Sequence, residues 1–384
     1  MSAVNLSSGK FNISIFSSVA HCSDDWQSGD LKIGETNYLA LLERILPGNI
    51  QFYYLIVRNH SGKICGKLYF QRVRFGNKNV VPDKNLLVCT AVNVFLKLHP
   101  FHILVCGNVV AVNFPSCVYD ESEISADEFL QIIRTFEDTI HFDAVVLKDL
   151  SKDYDDKRML PAGYRPYKAD LTMTLDIDPH WQTLDGYQKA LSKKYRKRMV
   201  SIRAAGKDII RKEMNEEEIG KAAHDLERLL HYVAEKQTIQ MCRIEGKYFH
   251  EFKKAYPDTF HLFGYYLNGQ LIGFTSYIER EPELEFHYIG IDYTFNTSHS
   301  IYFNMLFDGI ELAQRLRKKE LELGRTAREA KANLGCRAVY FNDYIRIKNK
   351  TADFLADWIG KRFQSAMGEE WKNRHPFRSN LPEN

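Results

Sequence analysis

The feature that most constrains the fold is a strand–turn–strand pattern that occurs once in each half of the chain. Residues 51–70 contain QFYYLIV, the turn NHSG and KICGKLYF, and residues 259–278 contain TFHLFGYY, LNG and QLIGFTSYI. Ser-Gly and Asn-Gly supply the positive φ of a tight hairpin, and β-branched and aromatic residues flank both turns. Each second strand carries a glycine at the matching place, Gly66 and Gly273, where a bulge is expected. The repetition predicts a duplicated unit.

The remaining pattern of the first half predicts a mixed α/β lobe. Two further strands are expected near residues 85–92 and 101–112, then a helix at 126–141 and a buried strand at 142–148. Ser125 and Glu128 form a capping box at the start of the helix. The polar segment 149–164, interrupted by Pro-Ala-Gly, is the best linker. Because 384 residues suit two domains, we expect lobes at residues 1–160 and 161–384.

The second half also predicts a mixed sheet flanked by helices. Its expected elements are a strand at 167–177, helices at 184–205, 216–236 and 248–255, the second hairpin, a strand at 284–292, a helix at 301–318, a strand at 320–324, a helix at 327–334, an extended segment at 337–347 and a C-terminal helix at 351–366. Apolar positions spaced about 3.6 residues apart indicate the helices, and alternation of apolar and polar residues indicates the strands. The predicted class is therefore α/β (α+β), with two related lobes.

Composition narrows the classes of function. The net charge is only +3, so no overall field directs the chain to nucleic acid or a membrane. No basic stretch followed by an apolar run opens the chain, and no apolar run reaches the roughly 18 to 20 residues that span a bilayer. The seven cysteines are scattered singly, without a CxxC or HxxxH pair. We therefore expect a cytoplasmic protein with reduced thiols, no stable membrane insertion and no metal site.

The order of elements in the second half resembles that of GNAT-type N-acyltransferases. It is more similar still to the FemABX peptidoglycan aminoacyl-transferases, which are tandem GNAT-like lobes. Three local patterns carry the resemblance over about residues 167–344: the basic helix at 189–207, LNGQLIGFTSYI at 267–278, and Gly324-Arg325-Thr326 followed by Lys331 and Gly335. The resemblance implies tandem GNAT-like lobes, of which the N-terminal one is degenerate.

The resemblance also implies an activity. An amine acceptor would attack the carbonyl of a thioester or ester donor directly, and acyl-CoA is the expected co-substrate. Two alternatives stay open: transfer from an aminoacyl-tRNA, as in FemABX enzymes, or a non-catalytic module on the same fold that binds nucleic acid or another anion.

The expected pyrophosphate site is the loop after the fourth core strand. CoA-binding relatives carry Gln/Arg-x-x-Gly-x-Gly/Ala there, whereas residues 293–300 of this chain are YTFNTSHS, without glycine. Backbone N–H groups and hydroxyls at a helix start still bind anions. The predicted contacts are Asn296, Thr297, Ser298, His299 and Ser300. FemABX transferases also lack a strict version of this loop, which keeps charged tRNA as an alternative donor.

A basic segment precedes the second hairpin. Residues 189–212 contain ten Lys or Arg and one acid, Asp208. On a helix, five cations crowd the polar side: Lys193, Lys194, Arg196, Lys197 and Arg198. Like charges four residues apart repel, so a purely structural helix is expected to mix signs. We interpret these five residues, the basic ridge, as a site for phosphates of CoA, a tRNA acceptor end or an anionic lipid head group; the alternative is a solvated face.

Catalytic candidates lie on the strand at 284–292 and after the next strand. Alternation places Glu285 and His287 on one face, where the resemblance locates the acceptor, and either can take a proton from the attacking amine. Arg325 is expected to bind an anionic acceptor, and Lys331 to stabilise a developing oxyanion. The alternative for all four is an ordinary surface role.

Overall fold

A computed structural model of the chain describes residues 4–46, 48–79, 94–111, 114–150, 156–167, 171–236, 241–348 and 370–378. It divides into two compact units. Unit 1 comprises Met1–Asp170, Thr238–Arg243 and Phe341–Phe363, and unit 2 comprises Leu171–Gln237, Ile244–Tyr340 and Gln364–Asn384. The strand predicted at 85–92 and the C-terminal helix predicted at 351–366 lie outside the described residues.

Unit 1 is built on a nine-stranded mixed sheet. Its strands are β1 (Val4–Ser8), β2 (Phe11–Phe16), β3 (Ile50–Arg58), β4 (Ile64–Phe75), β5 (Phe101–Cys106), β6 (Cys117–Tyr119), β7 (Ala144–Leu150), β8 (Arg165–Tyr167) and β16 (Asn342–Ile347). They run in the order β1-β2-β3-β4-β5-β7-β16-β8, with β6 beside β4. Among the described strands of this sheet, β5 and β7 are the parallel neighbours.

Four helices of unit 1 are α1 (Ser23–Gln27), α2 (Thr36–Ile45), α3 (Ala126–Glu137) and α4 (Asp156–Met159). The apolar side of α3, including Phe129, Ile133 and Phe136, is buried in the core of the unit. The predicted capping box of Ser125 and Glu128 is confirmed. The helix ends at Glu137, earlier than expected from the sequence.

Unit 2 contains a seven-stranded mixed sheet. Its strands are β9 (Leu171–Asp176), β10 (Ile210–Glu213), β11 (Phe260–Leu267), β12 (Gln270–Glu279), β13 (Glu283–Ile291), β14 (Glu320–Glu322) and β15 (Arg337–Tyr340). The order is β10-β11-β12-β13-β14-β9-β15, and β13 and β14 are its parallel pair. Its helices are α5 (Leu184–Ala190), α6 (Lys193–Ala205), α7 (Glu216–Lys221), α8 (Ala223–Ala234), α9 (Lys247–Ala255), α10 (Tyr293–His299), α11 (Ile301–Arg315) and α12 (Arg328–Ala332).

The two predicted hairpins are β3–β4 and β11–β12, and each has a bulge at the same place. Val57 pairs with Gly66 and the next partner of β3 is Ile64; Tyr265 pairs with Gly273 and the next partner of β11 is Leu271. One residue of the second strand is therefore skipped directly before each glycine. The shared irregularity, together with a following antiparallel strand and a parallel pair in both units, confirms the two related mixed α/β lobes expected from the sequence.

Several of the sequence-based expectations for unit 2 were wrong. The helix expected at 184–205 breaks at Leu191 and Ser192, because the Ser192 N–H bonds to the Pro376 carbonyl (2.8 Å) and its backbone is extended. The helix expected at 216–236 is interrupted at Ala222, between α7 and α8. The loop expected at 293–300 is mostly the helix α10, capped by Asp292.

The extended segment predicted at 337–347 forms two strands in different sheets. β15 pairs with β9 in unit 2, whereas β16 pairs with β7 and β8 in unit 1. Within the described part of the chain, no helix is long and apolar enough to cross a membrane.

Candidate active site

The parallel strands of unit 2 diverge after three residue pairs. β13 pairs with β14 only at its start, where Glu285 faces Glu322. Beyond this point the chain after β14 follows β9, since the Leu323 N–H bonds to the Met173 carbonyl (2.9 Å). β13 instead continues to Ile291 beside β12. Its backbone over residues 286–291 has no strand partner on the β14 side in the described structure, and we call this side the splayed edge.

Two buried carboxyl groups mark the point of divergence. Glu285 and Glu322 are only 4% and 1% exposed. The Glu285 Oε2 accepts hydrogen bonds from Arg280 Nε (3.0 Å) and Nη2 (2.9 Å). Burial raises the pKa of Glu285 to about 7; the Arg280 charge opposes the shift and the Glu322 charge adds to it. A carboxyl group with this pKa is half ionised near neutral pH and suits proton transfer.

Glu322 has one oxygen bonded and one without a partner. Its Oε1 accepts hydrogen bonds from the Thr172 hydroxyl and from the Gly324 N–H (2.6 Å). Its Oε2 is buried and makes no hydrogen bond to any described residue. Burial raises the pKa of this carboxyl as well. A buried unpaired oxygen is costly, and such a group indicates a position for a ligand, water or ion.

Glu322 is not among the site residues predicted from the sequence, although a signal was present. The tripeptide Glu-Leu-Glu occurs at residues 283–285 and again at 320–322, and the fold sets the two copies side by side in register. Adjacent parallel strands lie about 4.8 Å apart. Neighbouring carboxyl groups in a buried setting do not both ionise readily, and the Glu322 charge accordingly adds to the raised pKa of Glu285.

Lys331 lies with the acid pair rather than on the surface. Its Nζ donates to the Gly324 carbonyl (3.1 Å), and the residue is 4% exposed. Burial lowers the pKa of Lys331 to about 8, against the opposing effect of Glu322. Gly324 has φ 81°, a conformation that favours glycine and turns the chain from β14 toward α12. Arg325 follows this turn and is half-buried.

His287 lies within an aromatic cluster next to the register shift between β12 and β13. Its Nε2 lies 2.9 Å from the Tyr248 hydroxyl and its Nδ1 lies 3.3 Å from the Ser276 hydroxyl. The ring packs against Tyr248 and Phe252. Burial lowers the pKa of His287 to about 3, and the Arg280 charge adds to the shift. The imidazole is therefore neutral at pH 7.

The basic ridge lies on α6, which packs against α10 and α11. Asn304 of α11 joins these elements, because its Nδ2 donates to the Ile202 carbonyl (3.0 Å) and the His299 carbonyl (3.2 Å). Arg203 of α6 donates to Asp308 Oδ1 (2.6 Å). The ridge and the segment 296–300 are consequently neighbours on one side of unit 2.

The ridge cations have no carboxylate partner within the part of the chain that the structure describes. Lys193, Lys194, Lys197 and Arg198 are exposed and Arg196 is half-buried, and the described structure contains no ion pair to any of the five. The first turn of α6 contains no acid. Cations at a helix N-terminus oppose the helix dipole. Their placement therefore carries an electrostatic cost that a bound anion would offset.

The segment predicted to hold a pyrophosphate is helical. Asn296 Oδ1 accepts from the Tyr302 N–H (3.0 Å), and Ser298 Oγ lies 2.7 Å from His299 Nδ1. Thr297 is exposed, and Ser300 joins α10 to α11 with φ 49°. One of the N–H groups at the start of α11 is thus already bonded within the chain.

Comparison with known proteins supports the fold. The sequence matches no family model, and the search of curated proteins finds no match. The crystal structure of FemX matches 94% of this chain and 100% of its own, with 11% identity and a TM-score of 0.51. A tandem GNAT protein from the clavulanic acid biosynthesis pathway matches over 88% of this chain and 98% of its own, with 11% identity and a TM-score of 0.53. The chain therefore shares the fold of these two proteins, a tandem GNAT fold. Among the described residues, the splayed parallel strand pair lies in unit 2.

Proposed function

We propose that the protein is an N-acyltransferase whose reaction takes place at the splayed edge of unit 2. The observation that carries the proposal is the coincidence of three features at one point: the end of β13–β14 pairing, unpaired strand backbone beyond it, and the buried carboxyls of Glu285 and Glu322. Unpaired strand backbone offers hydrogen bonds to an extended acyl donor. A carboxyl with a pKa near neutral supplies the base that an amine acceptor needs.

The proposed step is direct transfer. The neutral amine nitrogen attacks the donor carbonyl carbon, a C–N bond forms, and the C–S bond of a thioester or the C–O bond of an ester breaks. Directly or through water, Glu285 takes the proton that the ammonium form of the acceptor must lose before it attacks. The second nitrogen proton passes to the departing thiolate or alkoxide, which leaves as a thiol or an alcohol. His287 is less suited to this role, because its pKa of about 3 leaves it a very weak base. The unpaired oxygen of Glu322 is suited to hold the incoming ammonium before it loses its proton.

The donor is proposed to be an acyl-CoA with its phosphates toward the basic ridge. The ridge neighbours the segment Asn296–Ser300 through the packing of α6 on α10 and α11. Lys193, Lys194, Arg196 and Arg198 would contact phosphate oxygens as charged donors. Lys331, on helix α12, would stabilise the developing oxyanion. Arg325, on the turn after β14, would bind an anionic group of the acceptor.

A direct assay tests this proposal. Purified protein is incubated with acyl-CoA esters and a panel of primary amines, and thiol release and acylated amine are both measured. The E285Q variant is the catalytic control, and E217Q, at an exposed glutamate of α7, is the matched variant expected to act like the parent. Activity that survives E285Q unchanged contradicts the site, and absence of transfer from every CoA ester excludes that donor class.

Aminoacyl-tRNA is the second candidate donor, favoured by the unpaired cations of the ridge. Filter binding of charged tRNA over a range of salt distinguishes it from CoA, because log K falls with log salt by about 0.7 to 0.9 per phosphate contact. The K194A/R198A variant should reduce that slope by about 2 if both residues contact phosphates. Tight, salt-dependent tRNA binding without any transfer would instead support a non-catalytic binding module.

A further inference from the structure

Unit 1 contains a cluster of two histidines and one aspartate outside the site of unit 2. His102 is the second residue of β5, and His141 and Asp143 lie just before β7. One ligand atom from each residue lies within 4.8 Å of those of the other two. The sequence does not reveal the cluster, because His102 and Asp143 are 41 positions apart.

The parallel pairing of β5 and β7 brings the three residues together. Ile103 pairs with Ala144, so His102 and Asp143, each one position earlier, lie next to each other where the two strands start. The Asp143 N–H bonds to the His102 carbonyl (2.8 Å), and the His102 N–H bonds to Asp143 Oδ2 (2.8 Å). Arg72 of β4 holds the third member, since its Nε donates to the His141 carbonyl (2.8 Å). These contacts fix the backbone of all three residues and the carboxylate of Asp143.

One atom of the cluster lacks the partner that a structural role would provide. His102 Nδ1 is buried and accepts or donates no hydrogen bond among the described residues. It lies 3.9 Å from Asp143 Oδ2, and the His102 and His141 ring centroids are 5.5 Å apart. The hydrogen bond from the His102 N–H gives the Asp143 carboxylate a structural role. The buried ring nitrogen of His102 has no such role among the described residues. Buried nitrogens without partners are rare and indicate a missing water or ion.

We propose that His102, His141 and Asp143 bind a divalent transition-metal ion of the zinc class. Two imidazoles and a carboxylate are a recognised ligand set for such ions. Zinc–ligand distances of about 2.0 to 2.2 Å place two ligand atoms about 3.4 Å apart, so the observed 3.9 Å separation closes with a small side-chain movement. The exposed ring of His141 provides access. Three protein ligands leave one coordination position for water.

Nearby cations set a limit on the affinity. Arg74 pairs with His102 across β4 and β5, Arg72 lies beside His141, and the Lys348 N–H bonds to the Asp143 carbonyl. These side chains repel a dication, whereas Asp143 attracts it. The bound ion would link the starts of β5 and β7 and stabilise unit 1, because a ligand of the native state raises its stability.

Titration of the metal-free full chain with zinc, in competition with a chromogenic chelator, tests the proposal. We expect one equivalent to bind, and H141A and D143N to weaken binding at least about 10-fold, the loss that even an outer partner of a metal site causes. D143N retains an oxygen for the His102 N–H, and His141 is exposed, so both variants should fold. H60A, at an exposed histidine of the β3–β4 turn, is the matched control and should bind like the parent.

Cobalt gives an independent readout through its visible absorption, which reports ligand number and geometry. A spectrum of a nitrogen- and oxygen-ligated ion that disappears in H141A supports the proposal. Zinc binding that is absent from the parent chain, or equally strong in H141A and D143N, overturns it.

Discussion

Units 1 and 2 share a hairpin, a following antiparallel strand and one parallel strand pair, but only one parallel pair is open. In unit 1, β5 pairs with β7 as far as its last residue, Cys106. In unit 2, β13 leaves β14 after Glu285, with six of its residues still to come. The closed pair completes a sheet, whereas the open pair leaves backbone and carboxyl groups for a ligand. The difference between the two parallel pairs is the reason that the proposed site is assigned to unit 2 and not to unit 1.

Each unit also buries a carboxylate, and the two environments differ. Glu137 of unit 1 is fully buried and accepts hydrogen bonds from the Tyr164 hydroxyl (2.6 Å) and from Arg346. In unit 2, Glu285 has a pKa raised to about 7 and Glu322 retains an unpaired oxygen. A buried carboxylate whose oxygens accept hydrogen bonds from fixed partners stabilises the fold. A buried carboxyl group with a shifted pKa or an oxygen without a described partner is expected at a functional site.

The largest effect is expected for E285Q on turnover. Loss of a general base typically lowers the rate by about 10² to 10⁴-fold, and Gln keeps the size of the side chain. The decrease should appear in kcat with little change in donor affinity, measured by steady-state kinetics with the donor identified in the transfer assay. The rate of the parent should rise with pH through about 7, as Glu285 loses its proton. The additional change H287A tests for substitution by the neighbouring histidine, and parent-like turnover in both variants at every pH contradicts the assignment.

E137Q should lower the stability of the protein and leave its turnover unchanged, the reverse of E285Q. Removing one partner of a buried ion pair costs about 3 to 5 kcal/mol, and Gln retains a hydrogen bond with Tyr164, so we expect about 3 kcal/mol. Denaturant unfolding measures the loss. Turnover of the folded fraction should be unchanged, and a selective loss of kcat without loss of stability would show that unit 1 contributes to catalysis.

Glu285 should also reveal itself in the pH dependence of stability. Its pKa rises from 4.5 in an ordinary setting to about 7 in the folded protein. The protonated form is therefore favoured by folding, and that contribution, present below about pH 4.5, is lost as the pH rises to about 7. E285Q stays neutral, so its stability relative to the parent should increase by about 2 to 3 kcal/mol over this range. Chemical unfolding of both proteins at pH 5 and pH 8 gives the difference, and parallel curves contradict the raised pKa.

The sequence predicted the repeated framework better than it predicted the site. Alternation and turn residues located both hairpins, and Gly66 and Gly273 marked both bulges, because these features are local. Ser192 was missed because its extended backbone bonds to Pro376, which is distant in sequence. Glu322 was missed because its importance depends on the strand that it faces. β14 separates from β13 because Leu323, directly after β14, hydrogen-bonds to Met173 of β9. No local pattern in the sequence indicates that contact.

The smallest expected effect concerns the stability of the basic ridge. Charge reversal at Lys194 and Arg198 should change the free energy of unfolding by about 0.5 kcal/mol or less. The Arg198 contact with the Phe303 ring (4.7 Å) is lost, but an acid in the first turn of α6 suits the helix dipole. Donor binding should weaken markedly, measured as KM at low and high salt. Loss of a cooperative melt would show that the ridge is structural.

Amide hydrogen exchange of the full chain, with and without saturating donor, tests the contrast between the units most directly. Acetyl-CoA and an aminoacyl-tRNA are the two donors to compare. We expect the donor to slow the exchange of backbone amides within residues 286–291 of β13 and to leave the exchange of residues 101–106 of β5 unchanged. Protection of β5 with no change along the splayed edge, under conditions where the donor is bound, would contradict it.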